Sequence, residues 1–284
     1  MRHNPYCLAD DELLALLRDD CPYGDSTTSG LAIGTQPGSL GFAARQAMVV
    51  CGSEEARRLG ELNGLRLVGP CRTSGEPLAT GEHILTLEGP AEALHRVWKT
   101  AQTLMEYLSG IASATHDLVA AARQVNPEIG VATTRKHFPG TKALSLKAVL
   151  AGGGSIHRLG LSDSILIFAE HRRFLGIEAP EAAIRRLRRD WPERLIAVEV
   201  TDEAAARTWQ QAGADILQLD KLPPDNVQRI KAALPPGAST RISAAGGVTP
   251  ANAAAYAAAG ADILVTSYPY SAAPRDVAVT LAPF

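Results

Sequence analysis

The sequence IAVEVTDEAAARTWQQAGADILQLD, residues 196–220, places a helical segment between two short apolar runs. Short runs rich in β-branched residues indicate buried strands. The same alternation recurs after residue 128 and predicts strands at 130–134, 165–168, 196–200, 216–219, 240–244 and 263–265, with helices at 142–151, 180–189, 203–212, 224–233 and 250–259. Repeated strand–helix units predict a parallel sheet covered by helices. We therefore predict a TIM-like α/β barrel, complete, open or incomplete, with a doubly wound sheet as the alternative.

The chain before residue 111 has a different pattern. It predicts a helix at 10–19, strands at 41–51 and 84–87, and a long helix that starts after Pro90 and passes through the pair Ser109-Gly110, where a bend or close packing is expected. We therefore expect a smaller amino-terminal α+β domain with a bridging helix over residues 1–110. The barrel domain, over 111–284, is expected to carry most of the active site.

Composition excludes several classes of protein. The 284 residues carry a formal net charge of -2, so the chain as a whole does not attract nucleic acid or an acidic membrane surface, and any anion site must depend on a few local cations. The cysteines, at 7, 21, 51 and 71, form no C-x-x-C pair, and the first five residues contain no apolar signal core. No apolar stretch is long enough to span a membrane. We expect a reduced, cytoplasmic protein that binds a small molecule.

Positive side chains cluster where two predicted loops follow strands. Arg135 and Lys136 come directly after the strand at 130–134, and His157 and Arg158 follow the turn Gly152-Gly153-Gly154. In α/β barrels the carboxyl ends of the strands and the loops beyond them form the ligand site. These four residues therefore predict an anion site, although arginines and lysines near loops are more often solvated surface.

Two acidic residues and a glycine pair occupy other strand ends. Glu199 and Asp220 predict a Mg²⁺ site for a phosphorylated ligand, because Mg²⁺ takes one or two protein carboxylates and completes its shell with phosphate and water. The alternative is that Asp220 caps a turn and Glu199 pairs with an arginine. Gly246 and Gly247 precede a helix that is predicted to begin at Thr249 and Pro250, and Ser267 closes the last strand. Such a corner is either a phosphate site or an ordinary tight turn.

The order of these motifs resembles the quinolinate (nicotinate-nucleotide) phosphoribosyltransferase family over nearly the whole chain. The motifs that carry the resemblance are Gly24-Asp25-Ser26-Thr27-Thr28, Ser109-Gly110-Ile111-Ala112, Thr134-Arg135-Lys136-x-x-Pro139-Gly140, Gly152-Gly153-Gly154-x-x-His157-Arg158-x-Gly160-Leu161-x-Asp163, Val198-Glu199-Val200, Leu219-Asp220 and Gly246-Gly247.

The sequence departs from the usual pattern of that family at several positions. Ile156 stands where the family has Asn, Phe168-Ala169-Glu170-His171 where it has Lys-Asp-Asn-His, Lys99 where it has Arg, and Ala245 where it has Ser. These departures resemble the ModD branch of pyrophosphorylases associated with molybdenum transport. The missing lysine at Phe168 removes a charge-assisted contact of about 1.5–3 kcal/mol to an acidic ligand. Binding of quinolinate itself therefore does not follow.

The resemblance implies transfer of ribose 5-phosphate from the donor substrate phosphoribosyl pyrophosphate to a nitrogen acceptor, which the cationic cluster suggests is acidic. It implies Mg²⁺ at Glu199 and Asp220, with Lys136 near the leaving pyrophosphate. The remaining implied substrate-binding residues are Arg135, His157 and Arg158 for the acceptor, Gly246 and Gly247 for the 5′-phosphate of the donor, Ser267 at the end of the last strand, and Lys99, which would reach the site of the neighbouring subunit. A homodimer with shared active sites follows from that last role.

Three other functions remain open from the sequence. The chain could be a quinolinate phosphoribosyltransferase of NAD biosynthesis. Lys136 at a barrel mouth could form a Schiff base, as in lysine aldolases. A barrel without one family cation could also be a non-catalytic oxyanion-binding or regulatory partner of molybdate transport.

Overall fold

The computed structural model describes residues 8–284, so Cys7 and the amino-terminal signal-peptide question lie outside the described residues. The helices and strands are, in chain order, α1 (Asp10–Asp20), α2 (Ser26–Gly30), β1 (Pro37–Ala44), β2 (Met48–Val49), α3 (Ser53–Leu62), β3 (Arg66–Val68), β4 (Pro77–Leu78), β5 (His83–Pro90), α4 (Ala91–Arg123), β6 (Gly130–Thr133), α5 (Lys142–Ala151), β7 (Ser155–Ile156), β8 (Ile165–Ile167), α6 (Ala169–Arg173), α7 (Pro180–Asp190), β9 (Ile196–Val200), α8 (Glu203–Gln211), β10 (Ile216–Asp220), α9 (Pro224–Ala233), β11 (Arg241–Ala245), α10 (Pro250–Ala258), β12 (Ile263–Thr266) and β13 (Val277–Pro283).

The chain forms two compact units. The first contains the residues up to 116 together with 137–153 and 269–284, and the second contains 117–136 and 154–268. This division differs from the predicted one between residues 110 and 111, because the segments 137–153 and 269–284 belong to the first unit. The carboxyl-terminal strand β13 pairs antiparallel with β1 from Gly38↔Pro283 to Ala44↔Val277, so the end of the chain belongs to the first sheet.

The first unit is built on an antiparallel sheet of four strands in the order β13-β1-β5-β3. Along β1, Leu40, Phe42 and Ala44 alternate with less buried residues, which is the pattern of a strand with one face on a core. The predicted strand at 41–51 is wrong in extent. The chain leaves the sheet after Ala44 and then forms β2, which pairs with β4 in a separate ladder.

The long helix α4 begins as predicted and continues to Arg123. The helix has a glycine at position 110 because the backbone of another segment lies too close there for a side chain. A Cβ atom on Gly110 would lie 2.5 Å from the carbonyl oxygen of Ala273. The Ser109-Gly110 pair therefore marks close packing.

The second unit contains seven parallel strands in the order β7-β6-β12-β11-β10-β9-β8. The predicted barrel strands and the five predicted helices are all confirmed, and each end lies within one residue of the prediction. Strand β7 was not predicted, because two residues give no periodicity. One cavity is lined from all seven strands, so the sheet curls around a common interior, while β7 and β8 are not paired with each other. The predicted α/β barrel is confirmed in its open form.

Local signals explain where the barrel helices start. Pro180, Pro224 and Pro250 occupy first turns, where a missing N–H costs nothing. Asp202 caps α8 by accepting a hydrogen bond of 2.7 Å from Ala205 N. These helices cover the strands and leave the carboxyl edge of the sheet to loops. Within residues 8–284, no helix has the length and apolar character needed to cross a membrane.

Candidate functional site

A cleft of about 570 Å³ lies at the carboxyl ends of the parallel strands, wholly within the second unit. Nine of the ten predicted site residues line it, namely Arg135, Lys136, His157, Arg158, Glu199, Asp220, Gly246, Gly247 and Ser267. They come together because the ends of neighbouring parallel strands meet at one edge of a sheet. Residues that are more than 130 positions apart in the sequence therefore share one cavity.

Arg158 is the most deeply buried cation of the cleft, with 7% of its surface exposed. Its guanidinium carbon lies 5.6 Å from the centroid of the Phe168 ring. Burial, followed by the positive charge of Arg135, lowers the pKa of Arg158, and Asp163 opposes this from a distance. Among the described residues, the Arg158 side chain has no salt-bridge partner, because Asp163, the acidic residue that acts on it, pairs with Arg194 at 3.6 Å. An anion in the cleft would supply the partner that this guanidinium lacks.

His157 lies next to Arg158 and is fixed by a backbone hydrogen bond of 3.0 Å from its N–H to Thr133 O. Burial, and then the charge of Arg158, lower the pKa of His157 to about 4. The imidazole is therefore neutral at pH 7 and can both donate and accept a hydrogen bond.

The depressed pKa of His157 predicts a pH-dependent stability. Between the ordinary histidine value of 6.5 and about 4, the unfolded chain binds a proton at this position and the folded chain does not. The free energy of unfolding should therefore fall as the pH falls through this window. Urea unfolding at pH 7, 6, 5 and 4 should show a shallower fall for His157→Gln than for the wild type. Equal slopes would contradict the assignment, and His116→Gln, at an exposed histidine of α4, is the control.

Glu199 and Asp220 stand on neighbouring strands. In the parallel register Glu199 is opposite Gln218, and Asp220 is two residues beyond Gln218 on the same face. Gln218 Nε2 donates a hydrogen bond of 3.1 Å to Glu199 Oε2. Burial and then the negative charge of Asp220 raise the pKa of Glu199, although the hydrogen bond from Gln218 opposes this. The two carboxylates therefore act on one another across the cleft.

This pair fits a divalent cation. A cation between the carboxylates would relieve the repulsion that raises the pKa of Glu199. Lys221 Nζ is 3.8 Å from Asp220 Oδ2, but its side chain is 80% exposed, so it neutralises the pair only weakly. Among residues 8–284, no group of three or more His, Cys, Asp or Glu side chains is arranged so that it could hold a metal ion by itself. Two carboxylates suffice for Mg²⁺ when phosphate oxygens complete the shell.

Two buried polar residues were missed by sequence reasoning: Gln218, which lines the cleft, and Ser243 on the neighbouring strand. Gln218 is 5% exposed and Ser243 is 1% exposed, and the two residues are opposite each other in the β10–β11 ladder. Gln218 Oε1 and Ser243 Oγ have no hydrogen-bond partner among the described residues. The only signal for Gln218 was its place two residues before Asp220 in an otherwise apolar strand.

The turn at Gly246 and Gly247, called the glycine corner below, is shaped by its neighbours. Gly246 and Gly247 have φ angles of 85° and 82°, in the left-handed region that favours glycine. A Cβ on Gly246 would lie 2.9 Å from Asp220 Oδ1 and 2.5 Å from Lys221 Cγ. Asn252 fixes the turn by accepting from Thr249 N and donating to Gly247 O, at 2.8 and 2.9 Å. Thr249 is the N-cap residue of α10, as predicted.

The segment after β8 forms an aromatic wall of the cleft. Phe168 lines the cleft, and its ring stacks on His171 with centroids 5.7 Å apart. Phe168 N donates a hydrogen bond of 3.0 Å to His171 Nδ1, which holds the imidazole in place. Arg172, which sequence reasoning missed, donates to Glu199 O at 2.6 Å and so fixes the end of β9.

Two predicted lysines have different surroundings. Lys136 lines the cleft but is exposed, so burial does not supply the dry pocket that a Schiff-base lysine needs. Lys99 belongs to the first unit. It lines a separate cavity of about 580 Å³ in that unit, and its Nζ lies 4.7 Å from the Trp98 ring centroid and 3.2 Å from Gln102 Oε1.

Comparison with protein families gives two matches that cover most of the chain. The family model described as quinolinate phosphoribosyl transferase, N-terminal domain, matches residues 25–109, and the model for the C-terminal domain matches residues 111–280.

Curated relatives and solved structures agree with these matches. ModD of Rhodobacter capsulatus, a pyrophosphorylase by name, is 49% identical over 249 residues, which cover 88% of this chain and 96% of the relative. A protein of Methanothermobacter thermautotrophicus named as a carboxylating nicotinate-nucleotide pyrophosphorylase is 32% identical over 251 residues, which cover 87% of this chain and 89% of the relative. The crystal structure of NadC from Streptococcus pyogenes superposes with a TM-score of 0.88 at 26% identity, covering 97% of this chain and 96% of that chain.

Proposed function

We propose that the cleft of this chain, which belongs to the quinolinate phosphoribosyltransferase family of pentosyltransferases, transfers ribose 5-phosphate. The donor is phosphoribosyl pyrophosphate, and the acceptor is a nitrogen atom of a second substrate. The observation that carries the proposal is the single cavity that joins cations, a carboxylate pair and a glycine corner. A doubly phosphorylated sugar needs all three kinds of group at once, whereas a simple oxyanion site does not need the carboxylates.

The reaction replaces one bond to the anomeric carbon by another. The bond from C1 to the pyrophosphate oxygen breaks, pyrophosphate keeps the electron pair, and the acceptor nitrogen forms the new bond to C1. Lys136 places positive charge where negative charge develops on the leaving group. Glu199 and Asp220 would hold Mg²⁺, which when bound neutralises charge on the phosphate oxygens. The backbone amides at Gly246 and Gly247, with Ser267, would bind the 5′-phosphate.

The acceptor side of the cleft is formed by Arg135, His157 and Arg158. A guanidinium can hold a carboxylate through two parallel hydrogen bonds, and neutral His157 can add a third. These groups favour an acidic acceptor. Phe168 sits where the family carries a lysine and offers its ring face to Arg158, so this protein has one cation fewer for a second carboxylate. We therefore assign quinolinate as the less favoured acceptor.

Phe168→Lys should restore part of that lost recognition. A lysine at this position adds a positive charge beside Arg158, so the affinity for pyridine-2,3-dicarboxylate should rise by about 1.5–3 kcal/mol, or roughly 10- to 150-fold. Isothermal calorimetry with the wild type and the variant measures this directly. Phe168→Leu, which removes the ring without adding charge, is the matched control. An affinity for the dicarboxylate that is the same in all three proteins would contradict the role given to this position.

Turnover is tested by pyrophosphate release. The wild type is incubated with phosphoribosyl pyrophosphate, Mg²⁺ and a panel of nitrogen-containing acids, and both products are followed by phosphorus NMR. The proposal expects pyrophosphate and an N-ribosyl phosphate in equal amounts with at least one acid. Tight molybdate binding, with no release from any acid, would favour the non-catalytic oxyanion-binding alternative.

We also propose that the protein acts as a homodimer in which Lys99 completes the site of the partner. The wall around Lys99 in the first unit is mainly apolar, and Tyr107 and Phe138 there are 59% and 76% exposed, which suits a surface covered by another chain. Light scattering at working concentration should give twice the chain mass. A stable, active monomer would remove Lys99 from the site.

A further inference from the structure

A second cavity, of about 680 Å³, adjoins the cleft within the second unit. Arg135, Arg158, Leu166 and Phe168 line both cavities, so the anion-binding side of the cleft leads directly into the second one. The cleft alone is already within the range of about 300–1,000 Å³ that holds whole small ligands. The second cavity therefore adds space next to the anion-binding side of the cleft.

The walls of this second cavity are largely apolar. Leu161, Ile165, Ile167, Leu175, Leu187 and Trp191 face it. Leu161 is 77% exposed and Trp191 is 54% exposed, which is a large apolar surface to leave in water. Arg186 also lines the cavity, but it is paired with Glu178 and so is already neutralised.

The aromatic wall between the two cavities is held in position. Phe168 is supported from one side by the stacked His171 and carries Arg158 on its ring. Trp191 ends α7, where its N–H donates 2.8 Å to Leu187 O and its carbonyl accepts from Arg194 N at 3.1 Å. A flat apolar ligand would therefore meet a Phe168 ring that is already held in position.

We propose that the natural acceptor is an acid whose apolar or aromatic body is larger than one pyridine ring and extends from the arginine pair past Phe168 towards Trp191. This inference rests on the proposed function, because it names the substrate class of the same site. The carboxylate would be held by Arg135 and Arg158, and the body would be buried against Phe168, Leu187 and Trp191. The loss of a cation at residue 168 and the gain of an aromatic ring then serve one purpose, which is to bind a less charged and more apolar acid.

The test compares acids that share one head group. Calorimetry measures the binding of pyridine-2-carboxylate, quinoline-2-carboxylate and 5-phenylpyridine-2-carboxylate to the wild type. Burial of the additional ring should strengthen the binding of at least one of the larger acids by about tenfold or more over the single-ring acid. Trp191→Ala should lose most of this gain while keeping its affinity for the single-ring acid. Leu161→Ala, at an exposed position, is a second variant that should lose part of it.

Phe174→Ala is the matched control, because Phe174 is 93% exposed in the same unit and does not line the cavity. This variant should keep the full gain. The inference is overturned if neither larger acid binds more tightly than the single-ring acid, or if the gain survives unchanged in Trp191→Ala. Donor binding is measured in parallel. Saturable binding of phosphoribosyl pyrophosphate together with no gain from the larger acids would reject the acceptor class and leave the proposed transfer intact, whereas a failure of donor binding would reject the transfer itself.

Discussion

Asp220→Asn is expected to lower donor-dependent pyrophosphate release by about 10²–10³-fold, the effect usual for removing one preorganised charged contact from a transition state. The substitution keeps the shape of the side chain and removes one of the two negative charges that would hold Mg²⁺ with the donor. Initial rates at saturating donor and acceptor measure the effect. Asp225→Asn is the matched control, since Asp225 is exposed at the start of α9 and lies outside the cleft.

The same variant separates function from stability. In the wild type the charge of Asp220 helps to raise the pKa of Glu199, so its removal relieves repulsion in the folded protein. The free energy of unfolding should therefore stay the same or rise while turnover falls. A variant that unfolds more easily in urea, with turnover lost only in proportion to the unfolded fraction, would contradict a direct role for Asp220.

Lys147→Met is expected to lower the free energy of unfolding by about 3–5 kcal/mol, the usual effect of removing one partner from a buried ion pair. Lys147 is fully buried in the first unit, and its Nζ lies 2.5 Å from Glu55 Oε2 and 2.9 Å from Glu54 Oε2. Burial alone would lower the pKa of Lys147, but the charges of Glu55 and Glu54 outweigh it and raise that pKa. The variant leaves Glu55, which is 2% exposed, without its counter-charge. Urea unfolding monitored by circular dichroism measures the loss.

The pH dependence of that loss follows from the charges. Lys147 has a raised pKa, so its contribution is complete below the unfolded lysine pKa of about 10.4 and constant across pH 6–9. The loss should therefore be the same at pH 6 as at pH 9. Lys142→Met, at an exposed position of the same helix, is the control and should change stability little. Lys147→Met/Glu55→Leu should recover much of the loss, and an equal loss in single and double variants would contradict the ion-pair account.

The barrel could be predicted from the sequence because its signals are local. The apolar run at 196–200 and the prolines at 180, 224 and 250 fix strand and helix positions without reference to the rest of the chain. The convergence of Arg135, Glu199 and Asp220 could also be predicted, since parallel strand ends meet at one edge. The role of each residue in catalysis remains a prediction that the variants above test.

Other features depend on contacts between distant residues and gave no sequence signal. Lys147 is a single charged residue in the apolar stretch ALSLKAVLA, and its partners Glu54 and Glu55 lie more than 90 residues away. The pairing of β13 with β1 joins segments that are more than 230 residues apart, which no local pattern reveals. Gln218 lies in an otherwise apolar strand, and only the folded sheet shows that its side chain faces the cleft and donates a hydrogen bond to Glu199. The second cavity likewise exists only through the meeting of β8 with α7 and Trp191.

The most direct test of the account is a calorimetric titration of the wild type with phosphoribosyl pyrophosphate, with and without Mg²⁺, because it needs no knowledge of the acceptor. The account predicts one saturable site per chain, tighter binding when Mg²⁺ is present, and loss of that Mg²⁺ effect in Glu199→Gln/Asp220→Asn. A wild type that binds the donor in neither condition, or a double variant that keeps the full Mg²⁺ effect, would contradict the claim that the cleft holds a phosphorylated sugar through its carboxylate pair.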